Sequence, residues 1–498
     1  MMRALVSVSD KSGLVEFIRE SGSYIREIYA TGSTGDHLRR NGIKAKSTSE
    51  LTGFDELLGG RVKTLHPKIF AGILADGEAR SRKDRDYPDF DMVICNFYPF
   101  NQVSGGNNIE AMTENIDIGG VSLVRAAAKN YQNVIVLSDP SDYVVVADSL
   151  RKEKKVPEKI REELALRSFQ RVSDYDILIY NSLFRVMDGG ISQSLLISGI
   201  NGEKLRYGEN PDQRGYLYSD GSVFGVANSR KLGGKKLSYN NLMDSDSAFA
   251  AVMEFEKPAC VIVKHNTPCG AAVGKDLLEA YTKALETDRE SAYGSVIAFN
   301  REVDEETASA ISQLFVEVLI APSYGEKALD IMKKKKNLRI LEIKPEKGRG
   351  VRVRSISGGY LLQDELTSQY GKLELKTSKH ASPEQVEDLD FAWKVVTHCR
   401  SNAIVLARNG ATVAIGAGQT SRVEALRIAI AKGGKKCENS VLASDAFFPF
   451  SDSVELAGEN GIAAIIQPGG SIRDSEVVAM AEQKGIPMYF TGKRVFLH

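Results

Sequence analysis

Ala259-Cys260-Val261-Ile262-Val263-Lys264-His265-Asn266-Thr267-Pro268-Cys269-Gly270 is an apolar, β-branched run that ends abruptly in a Lys-His pair. Asn, Thr, Pro and Gly follow at once, so the pattern predicts a buried strand that opens into a turn at the pair. Ligands gather at the carboxyl ends of strands in α/β sheets, and His is the side chain best suited to proton transfer near neutral pH. An ammonium beside it can hold the imidazole neutral and stabilise a developing oxyanion. Such a pair suits a reaction that deprotonates a poor amine nucleophile while an acyl carbonyl gains charge. Taken alone, the two residues are more readily explained as capping and solvating a strand end, and the rest of the chain is needed to reverse that reading.

The same α/β grammar runs outward in both directions. Towards the amino terminus, strands are expected at Ala4–Val8, Ile28–Thr31, Asp91–Phe97 and Val134–Leu137, with a helix over Gly13–Ser21. Residues 141–190 are helical and charged. Gly189-Gly190 and the turn-rich 199–202 place a boundary near 188–204, giving domains 1–195 and 196–498. Within the second, strands are expected at Ala259–Val263, Val296–Phe299, Val318–Ala321, Val413–Ile415 and Ala463–Ile466. An irregular, basic, then polar stretch over 343–385 separates two lobes, approximately 196–365 and 366–498. No short-period repeat is visible. The 498 residues suffice for two to four full cores.

Charge and cysteine content narrow the function classes. Lys plus Arg and Asp plus Glu number 65 each, so no net field draws the chain to nucleic acid, and anionic ligands must find local positive sites. Five scattered cysteines without a C-x-x-C pair suit a reducing cytoplasm rather than a disulfide framework. The amino terminus reads as strand and turn rather than a signal peptide, and no apolar run is long enough to span a membrane. Lys333–Lys336 reads as a solvated helix end.

Several segments carry chemistry. Gly59-Gly60-Arg61-Val62-Lys63-Thr64-Leu65-His66-Pro67 sets a guanidinium, an ammonium and a hydroxyl between turn residues, a loop able to grip phosphate. Ser9 and Lys11 follow the first strand, and Thr34 opens the helix after the second, where hydroxyls meet a helix N-terminus. Neither turn is a P-loop. Tyr98 sits at a strand end and Asp117 just before the helix that ends in Lys129. With Lys63 they could supply acid, base and oxyanion roles in a ring closure, or serve as a boundary aromatic and a helix cap. Gly416-Ala417-Gly418 lacks the third glycine of a dinucleotide fingerprint. Pro268-Cys269 invites a zinc-deaminase reading that fails, because residue 272 is Ala and no His is followed by x-Glu. No zinc is expected.

Taken together and in order, Ser7–Lys11, Gly60–Pro67, Asn115–Asn130, Leu205–Pro211, Lys264–Gly270, Gly416–Arg422, Ser444–Phe450, Gln467–Ser471 and Arg494–His498 resemble the bifunctional purine-biosynthesis enzymes that join aminoimidazole carboxamide ribotide (AICAR) formyltransferase to inosine monophosphate (IMP) cyclohydrolase. The resemblance covers nearly the whole chain. It implies a methylglyoxal-synthase-like α/β domain for ring closure, followed by a formyltransferase region of two cytidine-deaminase-like lobes without a metal. It implies that Lys264 and His265 drive formyl transfer from 10-formyltetrahydrofolate as co-substrate to AICAR. By the same resemblance Arg206, Tyr207, Asn241, Asn402, Phe447, Arg494, Phe496 and His498 contact substrate. Lys63, Tyr98, Asp117 and Lys129 fall on the positions that close the ring of formyl-AICAR, and Ser9, Lys11, Thr34, Arg61 and Thr64 in nucleotide-binding loops. A cytoplasmic homodimer is implied, with no nucleic-acid or membrane partner.

The sequence departs from the family pattern at Asp212, where His is common, and at Tyr293-Gly294-Ser295, where Phe-Gly is usual. Three other readings stay open at this stage. The first domain could be a regulatory nucleotide-binding module, the second a ribotide-binding scaffold without transfer chemistry, or the one-carbon donor formate activated by ATP, for which a P-loop is missing.

Overall fold

In the computed structural model, which describes residues 1–82, 84–190, 192–344 and 350–498, the chain divides into two units, Met1–Ser198 and Gly199–His498. In the first, β1 (Met2–Ser7), β2 (Ile25–Ala30), β3 (Lys46–Ser47), β4 (Met92–Cys95) and β5 (Ile135–Leu137) form one sheet in the order β3-β2-β1-β4-β5. All neighbouring pairs are parallel. β4 and β5 are buried at every residue, as parallel strands covered on both faces must be. Helix α1 (Leu14–Ser21) presents Leu14, Phe17 and Ile18 to this core at helical spacing. The strand order reverses between β1 and β4, so a crevice opens beyond their carboxyl ends. Helices α2 (Gly32–Arg40) and α3 (Gly119–Lys129) both begin at that crevice.

The second unit builds the same pattern twice. Helix α4 (Tyr239–Val252) leads to β6 (Ala259–Lys264), β7 (Thr267–Val273), β8 (Ser295–Phe299), β9 (Val316–Ala321) and β10 (Arg339–Glu342). Helix α5 (Pro383–Thr397) then leads to β11 (Ile404–Arg408), β12 (Ala411–Gly416), β13 (Val441–Ser444), β14 (Ala464–Gln467) and β15 (Met488–Phe490). Across one continuous sheet the order is β15-β14-β13-β11-β12-β7-β6-β8-β9-β10, with Glu374–Leu375 and Arg230–Gly233 on the outer edges. The order is a palindrome about the β7–β12 junction, where Ala272 pairs antiparallel with Ala411. On one face α4 and α5 share a core, with Phe249, Val252, Trp393 and Val396 over Val261, Val263 and Val405. On the other face the halves keep separate cores. The antiparallel junction puts the carboxyl ends of β6 and β12 and the amino ends of β8, β9 and β11 along one sheet edge.

Two elements differ from expectation. The turn after Lys264 lasts only two residues before β7 forms, although Pro268 and Gly270 argue against a strand. The pairing shifts register between those two residues, so the proline sits at a bulge rather than in a regular ladder. The stretch 343–385 is not wholly irregular. Positions 345–349 lie outside the described residues, but Val351–Ile356 and Gly359–Asp364 pair as an antiparallel hairpin. Its residues are exposed on both faces, so no hydrophobic alternation marks it in the sequence.

Candidate active sites

The crevice of the first unit encloses about 520 Å³. Ser9 and Lys11 line it after β1, Thr34 at the start of α2, Arg61, Lys63 and Thr64 from the intervening loop, Tyr98 after β4 and Asp117 before α3. Asn96, which the sequence did not single out, shapes the first of these loops. Its side-chain carbonyl accepts the amides of Ser9 (2.7 Å) and Asp10 (2.9 Å). The Thr34 hydroxyl exchanges hydrogen bonds with the Val8 backbone, so it fixes the loop as well as lining the site. Arg61 is engaged by Glu114 at the rim.

Lys63 Nζ donates to the Tyr98 hydroxyl at 3.2 Å and lies 5.6 Å over its ring. Because the phenol oxygen is the acceptor there, its own proton remains available to a ligand. Asp117 Oδ1 accepts from the Gly120 amide at 2.7 Å and Oδ2 from the Tyr98 amide at 3.4 Å. Burial raises the Asp117 pKa, opposed by those two amides and by the charge of Lys63. The same carboxylate thus caps the helix start and lines the cleft. The carboxylate lies so close to α3 that a Cβ at Gly120 would sit 2.6 Å from Asp117 Oδ2. Gly120→Ala is expected to displace the carboxylate and cut turnover at this cleft by about 10²-fold. Steady-state kinetics beside a thermal melt would check this, turnover being corrected for folded fraction.

Lys129 does not join this group. It is the exposed last residue of α3, whose first turn carries the site, so roughly 15 Å of helix rise separates it from Asp117. The family resemblance groups them, and the helix places Asp117 and Lys129 at its opposite ends.

In the second unit His265 and Asn266 form the β6–β7 turn, with φ of 53° and 59°. Two-residue hairpins of this hand need positive φ at both central positions. A side chain held there costs roughly 1–2 kcal/mol. The opposing contribution comes from Asp244 on α4, whose Oδ1 accepts the Asn266 amide at 2.6 Å and whose carboxylate also receives the His265 amide. His265 is exposed. Lys264 Nζ donates to the carbonyls of Tyr293 (3.0 Å) and Gly294 (2.9 Å). An ammonium has three donors, so one remains for a ligand.

The other expected residues lie along the same sheet edge in two groups. Asn241, near the start of α4, donates to Glu317 at 2.8 Å, with Arg339 3.4 Å from the same carboxylate oxygen. Arg206 lies over the Tyr207 ring, and their loop is tied to α4 where Asn240 donates to the Glu209 carbonyl. In the second group, buried Arg422 donates to Asn402 Oδ1 (2.8 Å), Asp445 (2.8 Å) and the Phe447 carbonyl (3.0 Å). The Arg422 and Arg494 guanidiniums lie 6.0 Å and 4.7 Å from the centre of the Phe496 ring, with the His498 ring 5.5 Å away. Three strand spacings, roughly 14 Å, separate β6 from β11, whose amino end carries Asn402. Asp244, Glu317, Arg422 and Asp445 are the members that sequence reading missed as individual site residues. Arg422 and Asp445 fall inside the quoted Gly416–Arg422 and Ser444–Phe450 blocks, whereas no quoted motif covers Asp244 or Glu317.

The family model described as AICARFT/IMPCHase bienzyme matches residues 127–432, and the one described as MGS-like domain matches 13–122. The chain is 44% identical to the bifunctional purine biosynthesis protein PurH of Persephonella marina and 45% identical to that of Acetivibrio thermocellus. Each alignment covers 100% of this chain and 99% of the relative. The PurH of Bacillus mycoides is 44% identical over the same shares.

Proposed function

The chain belongs to the AICARFT/IMPCHase bienzyme family, and from that premise we propose that formyl transfer runs at the Lys264–His265 turn and ring closure in the Lys63–Tyr98–Asp117 cleft. The observation that carries the reading is the turn itself, where an exposed imidazole is held on a left-handed hairpin beside an ammonium with a donor to spare.

The 5-amino group of AICAR is a poor nucleophile because its lone pair is delocalised toward the carboxamide. His265 takes a proton from it as the nitrogen adds to the formyl carbon of 10-formyltetrahydrofolate. The third donor of Lys264 meets the developing oxyanion. Collapse breaks the bond to folate N10, which leaves as tetrahydrofolate with the proton from His265. In the cleft the carboxamide nitrogen then adds to the formyl carbon. Asp117 accepts the proton lost by that nitrogen while the Tyr98 hydroxyl, with its oxygen held by Lys63, protonates the former formyl oxygen to give a cyclic carbinolamine. Asp117 then returns its proton as that hydroxyl departs as water, and the formyl-bearing nitrogen gives up its hydrogen to the Tyr98 oxygen, which restores the phenol and forms the C=N bond of IMP. Ser9, Lys11, Arg61 and Thr64 are the groups for the ribotide phosphate. Arg206, Tyr207, Asn241, Asn402, Phe447, Arg494, Phe496 and His498 hold the formyl-transfer substrates. We assign Lys129 no step. The departure at Tyr293 leaves the mechanism intact, because its backbone carbonyl, not its ring, holds Lys264.

Full-length enzyme given AICAR and 10-formyltetrahydrofolate is expected to release tetrahydrofolate and IMP together. Release of neither, with supplied formyl-AICAR still cyclised, would overturn the formyl-transfer half of this reading. The hairpin at 351–364 exposes Val351, Tyr360 and Leu361, and a two-stranded hairpin is marginal by itself. A second copy of the chain is its proposed partner in a cytoplasmic homodimer. Tyr360→Asp with Leu361→Asp is expected to shift the sedimenting species from dimer to monomer, with the melting temperature reporting on the fold.

A further inference from the structure

The duplicated architecture of the second unit repeats the turn device as well as the strands. In both halves a Ser N-cap with a capping box starts the helix, at Ser238 and Ser382. In both, the sixth helical residue is an Asp, Asp244 and Asp388. Both carboxylates receive the two amides of a two-residue hairpin turn, His265–Asn266 in one half and Asn409–Gly410 in the other. Both turns have positive φ at both positions. The cation before each turn is held alike. Lys264 donates to the Tyr293 carbonyl, and Arg408 donates to the Glu438 carbonyl at 2.6 Å.

The two copies differ where the chemistry lies. Asn409–Gly410 is the pair that adopts this turn with least strain, whereas His265–Asn266 carries two side chains in the left-handed region. The second copy shows what the carboxylate does where no imidazole is at stake, namely close the hairpin. In the first copy the same two hydrogen bonds also determine where the imidazole projects, because a turn without them has a less strained conformation to relax into.

We propose that Asp244 is a positioning residue of the formyltransferase site, fixing the direction of the His265 imidazole by accepting both amide protons of its turn. The proposal rests on the reading of His265 as the base. In Asp244→Asn the side chain keeps one acceptor and turns an NH₂ toward a backbone N–H, so the turn loses one bond and gains a repulsion. Its kcat for formyl transfer is expected to fall by about 10²-fold, with KM for AICAR changed by no more than about threefold. Cyclisation of supplied formyl-AICAR by the same preparation stays unchanged and reports that the chain is folded. Asp388→Asn is the matched control, lowering the melting temperature while leaving kcat within about twofold, because its turn carries no reacting group. Adding Asn266→Gly to Asp244→Asn gives the first turn the glycine the second already has, and is expected to recover about tenfold in kcat. A purely structural role predicts otherwise. Asp244→Asn would then lower the melting temperature and leave kcat per folded enzyme intact, or Asp388→Asn would depress kcat equally, and either result overturns the proposal. A His265 variant that still transfers formyl overturns the base reading and this proposal together, whereas an active Asp244→Asn beside an inactive His265 variant overturns only the positioning role.

Discussion

His265→Asn is expected to lower formyl transfer by roughly 10²–10⁴-fold while cyclisation of supplied formyl-AICAR continues at the wild-type rate. Asn is the informative replacement. The residue sits at φ 53°, where Asn is tolerated better than most side chains, and the duplicated turn already carries Asn409 there. The hairpin and its bonds to Asp244 should therefore persist, so the loss measures the missing base rather than a relaxed turn. KM for AICAR should change little, because substrate contacts are assigned to Arg206, Tyr207 and the Asn402–Phe496 group. Tetrahydrofolate release, IMP formation and thermal melts of both proteins check this. Retained formyl transfer in a normally folded variant would assign the proton to another group.

Legibility in the sequence followed the range of the interaction. β4, β5, β6, β8 and β9 were readable because strands buried on both faces need unbroken apolar runs. β7 was not, since its proline and glycine sit at a register shift that only the pairing partner reveals. The hairpin at 351–364 has no buried face to leave a pattern. The doubling of the second unit was expected from the family resemblance alone, because its halves share few residue identities at the device they repeat. Chief among these are the Ser cap and the Asp at the sixth helical position, while Lys-His-Asn has become Arg-Asn-Gly. In the candidate sites, residues inside a loop motif could be named from the sequence, whereas their supports could not. Asn96 reaches back to Ser9, Asp244 forward to Asn266, and Arg422 across to Asn402 and Asp445, and nothing local announces such bonds. Lys129, expected with Lys63, Tyr98 and Asp117 from the resemblance, stands at the far end of its helix, a separation that the sequence block does not display.

Asp117→Asn is expected to lower cyclisation of formyl-AICAR by roughly 10²–10⁴-fold and leave tetrahydrofolate release intact, as removal of a general base should. The pH dependence gives the sharper test. As a base Asp117 must be ionised, so activity falls as pH drops through its pKa. Burial raises that pKa above the ordinary 3.8 of an aspartate, so the acidic limb of the cyclisation profile should lie at higher pH than an unperturbed aspartate would place it. The positive charge of Lys63 acts in the other direction and pulls the value back down. Removing that charge in Lys63→Met should therefore move the acidic limb of the residual activity to higher pH, even as the maximum falls because the Tyr98 hydroxyl loses its donor. A limb that stays in place in Lys63→Met, or survives in Asp117→Asn, would show that a different group is titrating. The two variants thus separate the residue that carries the proton from the one that sets how readily it does so.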